Sequence, residues 1–141
     1  MFELPLKLDF CNPSKMHIHG VLSHRVCVFR GDSGSGKSYL FKILYSYWLS
    51  QGVPCSCINL AGVLGSRVKL SNLFNVEPGT ILLVDNGDLV PSKILLDALM
   101  TCPAGLVLVT NRGAIPRKFE GIVGRYSVQY DDKSFDIILQ D

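Results

Sequence analysis

The octet Gly31-Asp32-Ser33-Gly34-Ser35-Gly36-Lys37-Ser38 constrains this chain more than any other stretch. It fits G-x-x-x-x-G-K-[ST] at every fixed position. The apolar run Arg25–Arg30 precedes it, and a helical pattern from about Gly36 to Ser50 follows. The chain therefore has to pass from a strand through a tight loop into a helix. Small residues let the loop's backbone N–H groups turn inward around anionic oxygens. The helix adds its N-terminal dipole and unsatisfied N–H groups. Lys37 supplies a cation for the outer oxygens of a polyphosphate, and the Ser38 hydroxyl suits a magnesium ion. The expected phosphate contacts are Gly31, Asp32, Ser33, Gly34, Ser35, Gly36, Lys37, Ser38 and the following Tyr39.

Strand and helix signals alternate around this unit. Two N-terminal strands, 4–10 and 17–22, flank a turn at Asn12-Pro13-Ser14. Val53–Leu60 reads as a strand, Val63–Phe74 as a poorly periodic helix, and Thr80–Val84 as a very apolar strand. Pro91-Ser92 opens a helix running to about Thr101, with Ser92 as its cap. Leu106–Thr110 is another apolar strand, and Ile122–Tyr130 with Ser134–Leu139 reads as a closing hairpin. Apolar strands separated by helices predict a parallel sheet covered on both faces. The 141 residues fit one domain. Residues 1–24 are expected to form its N-terminal strands, 25–130 a core around the octet that would be nucleotide-binding, and 131–141 its last strand.

Composition narrows the function classes. With 48% apolar and 18% charged residues the chain is not generally disordered. A net charge of +2, from 14 basic and 12 acidic residues, gives no strongly basic platform for nucleic acid. No apolar run approaches the roughly 18 residues of a membrane helix, and the N-terminus carries no secretory signal pattern. Five cysteines without tandem C-x-x-C pairs fit the reducing cytosol, so a cytoplasmic location is expected.

A metal-holding acid is the next part needed. Ile81-Leu82-Leu83-Val84-Asp85 is an apolar strand ending in an aspartate, which in that place reaches Mg²⁺ directly or through water. Asn86-Gly87 after it also suits an ordinary turn.

With these residues the sequence resembles the P-loop NTPases, and within them the additional-strand branch that includes AAA+ and ABC-type ATPases. Gly31–Ser38 matches the Walker A motif and Ile81–Asp85 the Walker B motif. Leu106–Arg112, with Thr110-Asn111-Arg112, resembles the sensor-1 segment of AAA+ proteins. The resemblance implies an α/β fold: a three-layer P-loop NTPase core with a parallel sheet of about five strands, plus N-terminal and C-terminal hairpin strands. The strand carrying Thr110-Asn111 would lie between the Walker A and Walker B strands. ATP and Mg²⁺ would be the cofactors, with Ser38 and Asp85 on the metal. Asn111 would face the γ-phosphate and orient the attacking water, or else be a polar loop residue.

The sequence departs from that pattern where the branch usually carries a catalytic glutamate. Asn86 stands there, and it cannot take a proton from water. Asp88 is the nearest substitute. The AAA+ helical lid and its sensor-2 arginine have no counterpart. Arg125, before the last core strand, stands where an arginine finger acts across a subunit interface; Arg112 and Arg117 are alternatives, and each also reads as a solvated arginine. The catalytic set expected is Lys37, Asp85, Asn86, Asp88, Asn111 and Arg125.

The resulting expectation is an ATP-binding protein with slow or partner-activated Mg-dependent ATPase activity, serving as a switch or motor-like subunit. A non-hydrolysing ATP-binding interaction module is the alternative, and a small-molecule or nucleotide kinase a weaker one. A GTPase is disfavoured, because the strands end Thr110-Asn111-Arg112-Gly113 and Asp85-Asn86-Gly87-Asp88 rather than in guanine-reading motifs. A protein partner or self-association is expected, with no membrane and no direct nucleic-acid platform. His17 with His19, and Cys55 with Cys57, share strand faces but read as surface histidines and small thiols rather than metal ligands. Tyr45, Tyr47 and Trp48 fit either core or a partner surface.

Overall fold

The computed structural model describes residues 3–30, 36–63 and 69–140. Its strands are β1 (Leu6–Cys11), β2 (His17–Leu22), β3 (Val26–Arg30), β4 (Cys55–Asn59), β5 (Ile81–Asp85), β6 (Leu106–Thr110), β7 (Val123–Tyr130) and β8 (Ser134–Gln140). Its α-helices are α1 (Lys37–Ser50), α2 (Leu70–Leu73) and α3 (Ser92–Thr101). The strands form one sheet, in the order β1-β2-β8-β7-β3-β6-β5-β4.

Burial explains the middle of that order. β3, β5 and β6 are buried along nearly their whole length. Such strands are stable only where both faces are covered. Cys27, Phe29, Ile81, Leu83, Leu106 and Leu108 pack with Leu40, Phe41, Leu44 and Trp48 of α1. The alternate residues Val26, Val28, Leu82, Val84, Val107 and Val109 pack with Leu95, Leu96 and Leu99 of α3.

The expected three-layer α/β core with a parallel sheet of about five strands is corrected by the structure. The molecule is mostly one curled, mixed eight-stranded sheet with few helices. The reason lies in the connections. Between β4 and β5, the expected helix over Val63–Phe74 amounts to the four residues of α2, with 64–68 outside the described residues. Between β6 and β7 there is a three-residue 3-10 turn, Arg117–Phe119. Among the described residues, neither connection supplies a long covering helix. Both connections pack on the α3 side, through Phe74 and Phe119. On the α1 side strands share the covering, and Leu8, Ile18, Phe135 and Ile137 join the same core as α1. The hairpins are thus continuous with the sheet. β2 pairs in parallel with β8, and β8 antiparallel with β7.

One implication of the resemblance holds within this architecture. β6 lies between β3 and β5 and is parallel to both. Their carboxyl ends, at Arg30, Thr110 and Asp85, therefore share one edge of the sheet, where α1 begins.

Candidate functional site

Of the glycine-rich octet, Gly31, Asp32, Ser33, Gly34 and Ser35 lie outside the described residues. Gly36 precedes α1 at φ 82°, a left-handed backbone that suits glycine. A Cβ there would also stand 2.9 Å from Cε1 of Phe135. Lys37 is the first residue of α1 and is 9% exposed. Ser38 follows, and its Oγ donates to Oδ2 of Asp85 at 2.7 Å. Residues 47 positions apart in sequence are thereby joined.

Asp85 ends β5, and its other oxygen is also engaged. Oδ1 accepts from the Asn86 backbone N–H at 2.9 Å and from Thr110 Oγ1 at 3.1 Å. Thr110 follows from the register: Val84 is level with Val109, so Asp85 and Thr110 close adjacent strands. The sequence pattern marks Thr110 as part of the sensor-1-like segment but gives it no role on Asp85. Aligning the ends of two strands expected to neighbour each other is the signal that finds it.

A cavity of about 140 Å³ opens on these groups, lined by Lys37, Ser38, Asp85, Asn86, Asp88, Thr110 and Arg112. That is the scale of a phosphoryl group rather than of a whole cofactor. Four of the expected catalytic residues, Lys37, Asp85, Asn86 and Asp88, thus come together. The hydroxyl and carboxylate oxygens of Ser38 and Asp85 are hard donors of the kind Mg²⁺ takes.

Asn111 and Arg125 are not among the lining residues. Asn111 is 4% exposed, and its amide is engaged on both sides. Nδ2 donates to the Gly87 carbonyl at 3.1 Å. Oδ1 accepts from Ser92 Oγ at 3.0 Å and from Gly113 N at 2.6 Å. The expectation that it faces a γ-phosphate is corrected: it ties the turn after β5 and the start of α3 to the end of β6. Ser92 is accordingly no helix cap. Pro91 holds that place without a side-chain bond. Arg125 lies within β7, level with Val28 of β3 and partly buried, away from the residues that line this cavity. Arg117 stands exposed on its 3-10 turn.

The two substitutes for a catalytic glutamate are held by neighbours. Asn86 has a left-handed backbone at φ 59°, which asparagine tolerates better than most residues. Its Nδ2 donates to Oδ1 of Asn59 at 2.6 Å, and Asn59, at the end of β4, is level with Asp85. Asp88 accepts from the backbone N–H of Arg112 and, at 3.3 Å, from its Nε.

Tyr39 is 42% exposed and lies edge-on to Phe135, with centroids 5.7 Å apart. It borders a second, larger groove of about 550 Å³ between α1 and the β1–β2 turn, with Phe10, Lys42 and Tyr47. Tyr47 stacks on Phe10 at 3.7 Å, Trp48 is 4% exposed and Tyr45 packs against the core, so these aromatics are structural. His17 meets Asp9 at 2.5 Å and His19 meets Asp136 at 4.0 Å. The His17 hydrogen bond holds the Asp9 carboxyl below its usual range. No group of three metal-ligating side chains converges among the described residues. Burial pushes the Cys55 thiol up to about 12; it also raises Cys57, with the Asp85 charge adding to that.

No helix among the described residues is long and apolar enough to cross a membrane. No protein-family model matches the chain, and no curated protein matches its sequence.

Proposed function

We propose that this chain binds a nucleoside triphosphate, ATP by its resemblance, together with Mg²⁺, and hydrolyses it slowly. The observation that carries this reading is the Ser38–Asp85 hydrogen bond beside Lys37. It joins the end of the G-x-x-x-x-G-K-S octet to the acid that the chemistry requires. Lys37 neutralises outer phosphate oxygens, and the loop ahead of it supplies backbone N–H donors. Ser38 and Asp85 would hold the metal, which would supply positive charge against the phosphate oxygens. Thr110 keeps the Asp85 carboxylate oriented through its Oδ1.

Slow turnover follows from the remaining residues. Asn86 cannot accept a proton from water, and its amide is held by Asn59. Asp88 is engaged by Arg112. Water is positioned here without a strong base, so a protein partner or second copy would supply what speeds the reaction. The non-hydrolysing module is favoured by the same Asn86 observation. Five free cysteines fit a reducing, cytoplasmic setting.

Phosphate release from ATP by the purified chain tests the reading. The expected turnover is on the order of 10⁻⁴ to 10⁻² per second, as for P-loop GTPases without outside help. It should vanish in Lys37→Ala. ATP binding without release would favour the module. Turnover that survives in Lys37→Ala would contradict the site.

A further inference from the structure

We infer that the outer edge of β4 pairs, antiparallel, with β4 of a second copy of this chain, with Cys57 at the centre of the join. The inference goes beyond the triphosphate reading and does not rest on it.

β4 (Cys55–Asn59) ends the sheet order, with β5 on one side and no strand on the other among the described residues. The Ile81 N–H donates to the Pro54 carbonyl at 2.9 Å, and Cys55 is level with Ile81. Along a strand in a parallel ladder, successive residues turn their N–H and C=O to alternate sides. Pro54, Ser56 and Ile58 therefore face β5, while Cys55, Cys57 and Asn59 direct their backbone groups outward. The outward N–H and C=O of Cys55 and Cys57 bond no described residue. Such a row is a template for another strand.

The two edges of the sheet differ in how they are defended. β1 carries Lys7 and Asp9 and follows Pro5, and charges and proline keep a free edge from pairing. β4 reads Cys-Ser-Cys-Ile-Asn, without a charge or a proline. Pro54 precedes it but faces β5, so the outer edge stays open. A second copy suits this edge because the row complements itself. Centring a symmetric antiparallel join on Cys57 pairs Cys57 with itself and sets Cys55 beside Asn59 of the partner subunit. Such a join places each central residue against its copy, where like charges would repel. Cys57 is exposed and meets this demand. Desolvation and the nearby Asp85 charge raise its thiol above the ordinary value, so it stays neutral. The antiparallel join turns the two phosphate edges to opposite ends, so neither copy's loops enter the other's cavity.

Sedimentation velocity of the purified chain without nucleotide, from micromolar to near-millimolar concentration, tests this on the wild type, Cys57→Ser and Cys57→Lys. A reversible monomer–dimer equilibrium is expected, and the neutral Cys57→Ser should keep it within about twofold. Cys57→Lys should weaken it about tenfold or more, because it sets two like charges opposite each other on the edge. The thermal midpoint shows whether that variant is folded. In a Cys11→Ser chain, which lacks the other exposed cysteine, a short bis-maleimide should link the dimer through Cys57. That link decides the case if Cys57→Lys does not fold. A monomer at every concentration would overturn the inference. A dimer that folded Cys57→Lys leaves intact, or that the reagent does not link, would overturn it too by placing the contact elsewhere. Each of these outcomes leaves the triphosphate reading standing.

Discussion

Asn111 shows how a residue can be noticed for one reason and matter for another. A polar side chain after a buried apolar strand is conspicuous in the sequence. What it touches depends on the turn at Gly87 and the start of α3, segments 24 and 19 residues away. Asn111→Ala would strand the Gly87 carbonyl and the Gly113 N–H near a buried position. A buried unsatisfied group costs about 1–3 kcal/mol. A loss of about 2–3 kcal/mol in urea unfolding is expected, and a loss below about 0.5 kcal/mol would contradict the clamp. Lys37, Ser38 and Asp85 were legible because the chemistry of a phosphate loop dictates residue type and spacing. Thr110, Asn59 and the Asp88–Arg112 pair were not, because each depends on which strand ends are neighbours.

At the scale of elements, buried strands and helix starts were readable, and coverage was not. α1 and α3 run where the sequence pattern put them, from Lys37 to Ser50 and from Ser92 to Thr101. The segment Val63–Phe74 carried apolar residues without clean periodicity, and a four-residue helix forms there. The join between β2 and β8 had no local signature. It depends on Gly20, level with Ile137, where a Cβ would stand 2.6 Å from the Ile137 Cβ. Gly20→Val should force the two strands apart, at a cost of about 1–3 kcal/mol as for other overpacked sites. Gly52→Ala is a fitting control for crowding, because nothing lies within 4 Å of its Cβ position, though its φ of 75° adds backbone strain. A Gly20→Val protein as stable as the wild type would contradict the close approach.

For the whole molecule, the order β3-β6-β5 is the one the resemblance implies, whereas the curl has no counterpart in it. It arises because β1, β2 and β8 bury Leu8, Ile18 and Phe135 against the α1 side, where few helices are available. That same core protonates its acids. Burial pushes Cys27 up to about 12 and the Tyr126 hydroxyl up to about 12. The folded state keeps protons that the unfolded chain, with ordinary values of 9.0 and 10.0, releases. Their contribution is full below pH 9.0 and is lost as the pH rises toward 12. The thermal midpoint should therefore fall increasingly as the pH rises from 9 to 11, and a flat profile over that range would contradict this account of the core.

The central claim is a phosphate site formed by Lys37, Ser38 and Asp85, and calorimetric titration of ATP into the purified chain tests it most directly. The account predicts one saturable site that needs Mg²⁺ and that Lys37→Ala weakens by about tenfold to a hundredfold, the worth of a charge-assisted contact. No binding by the wild type, or equal binding by Lys37→Ala, would contradict it.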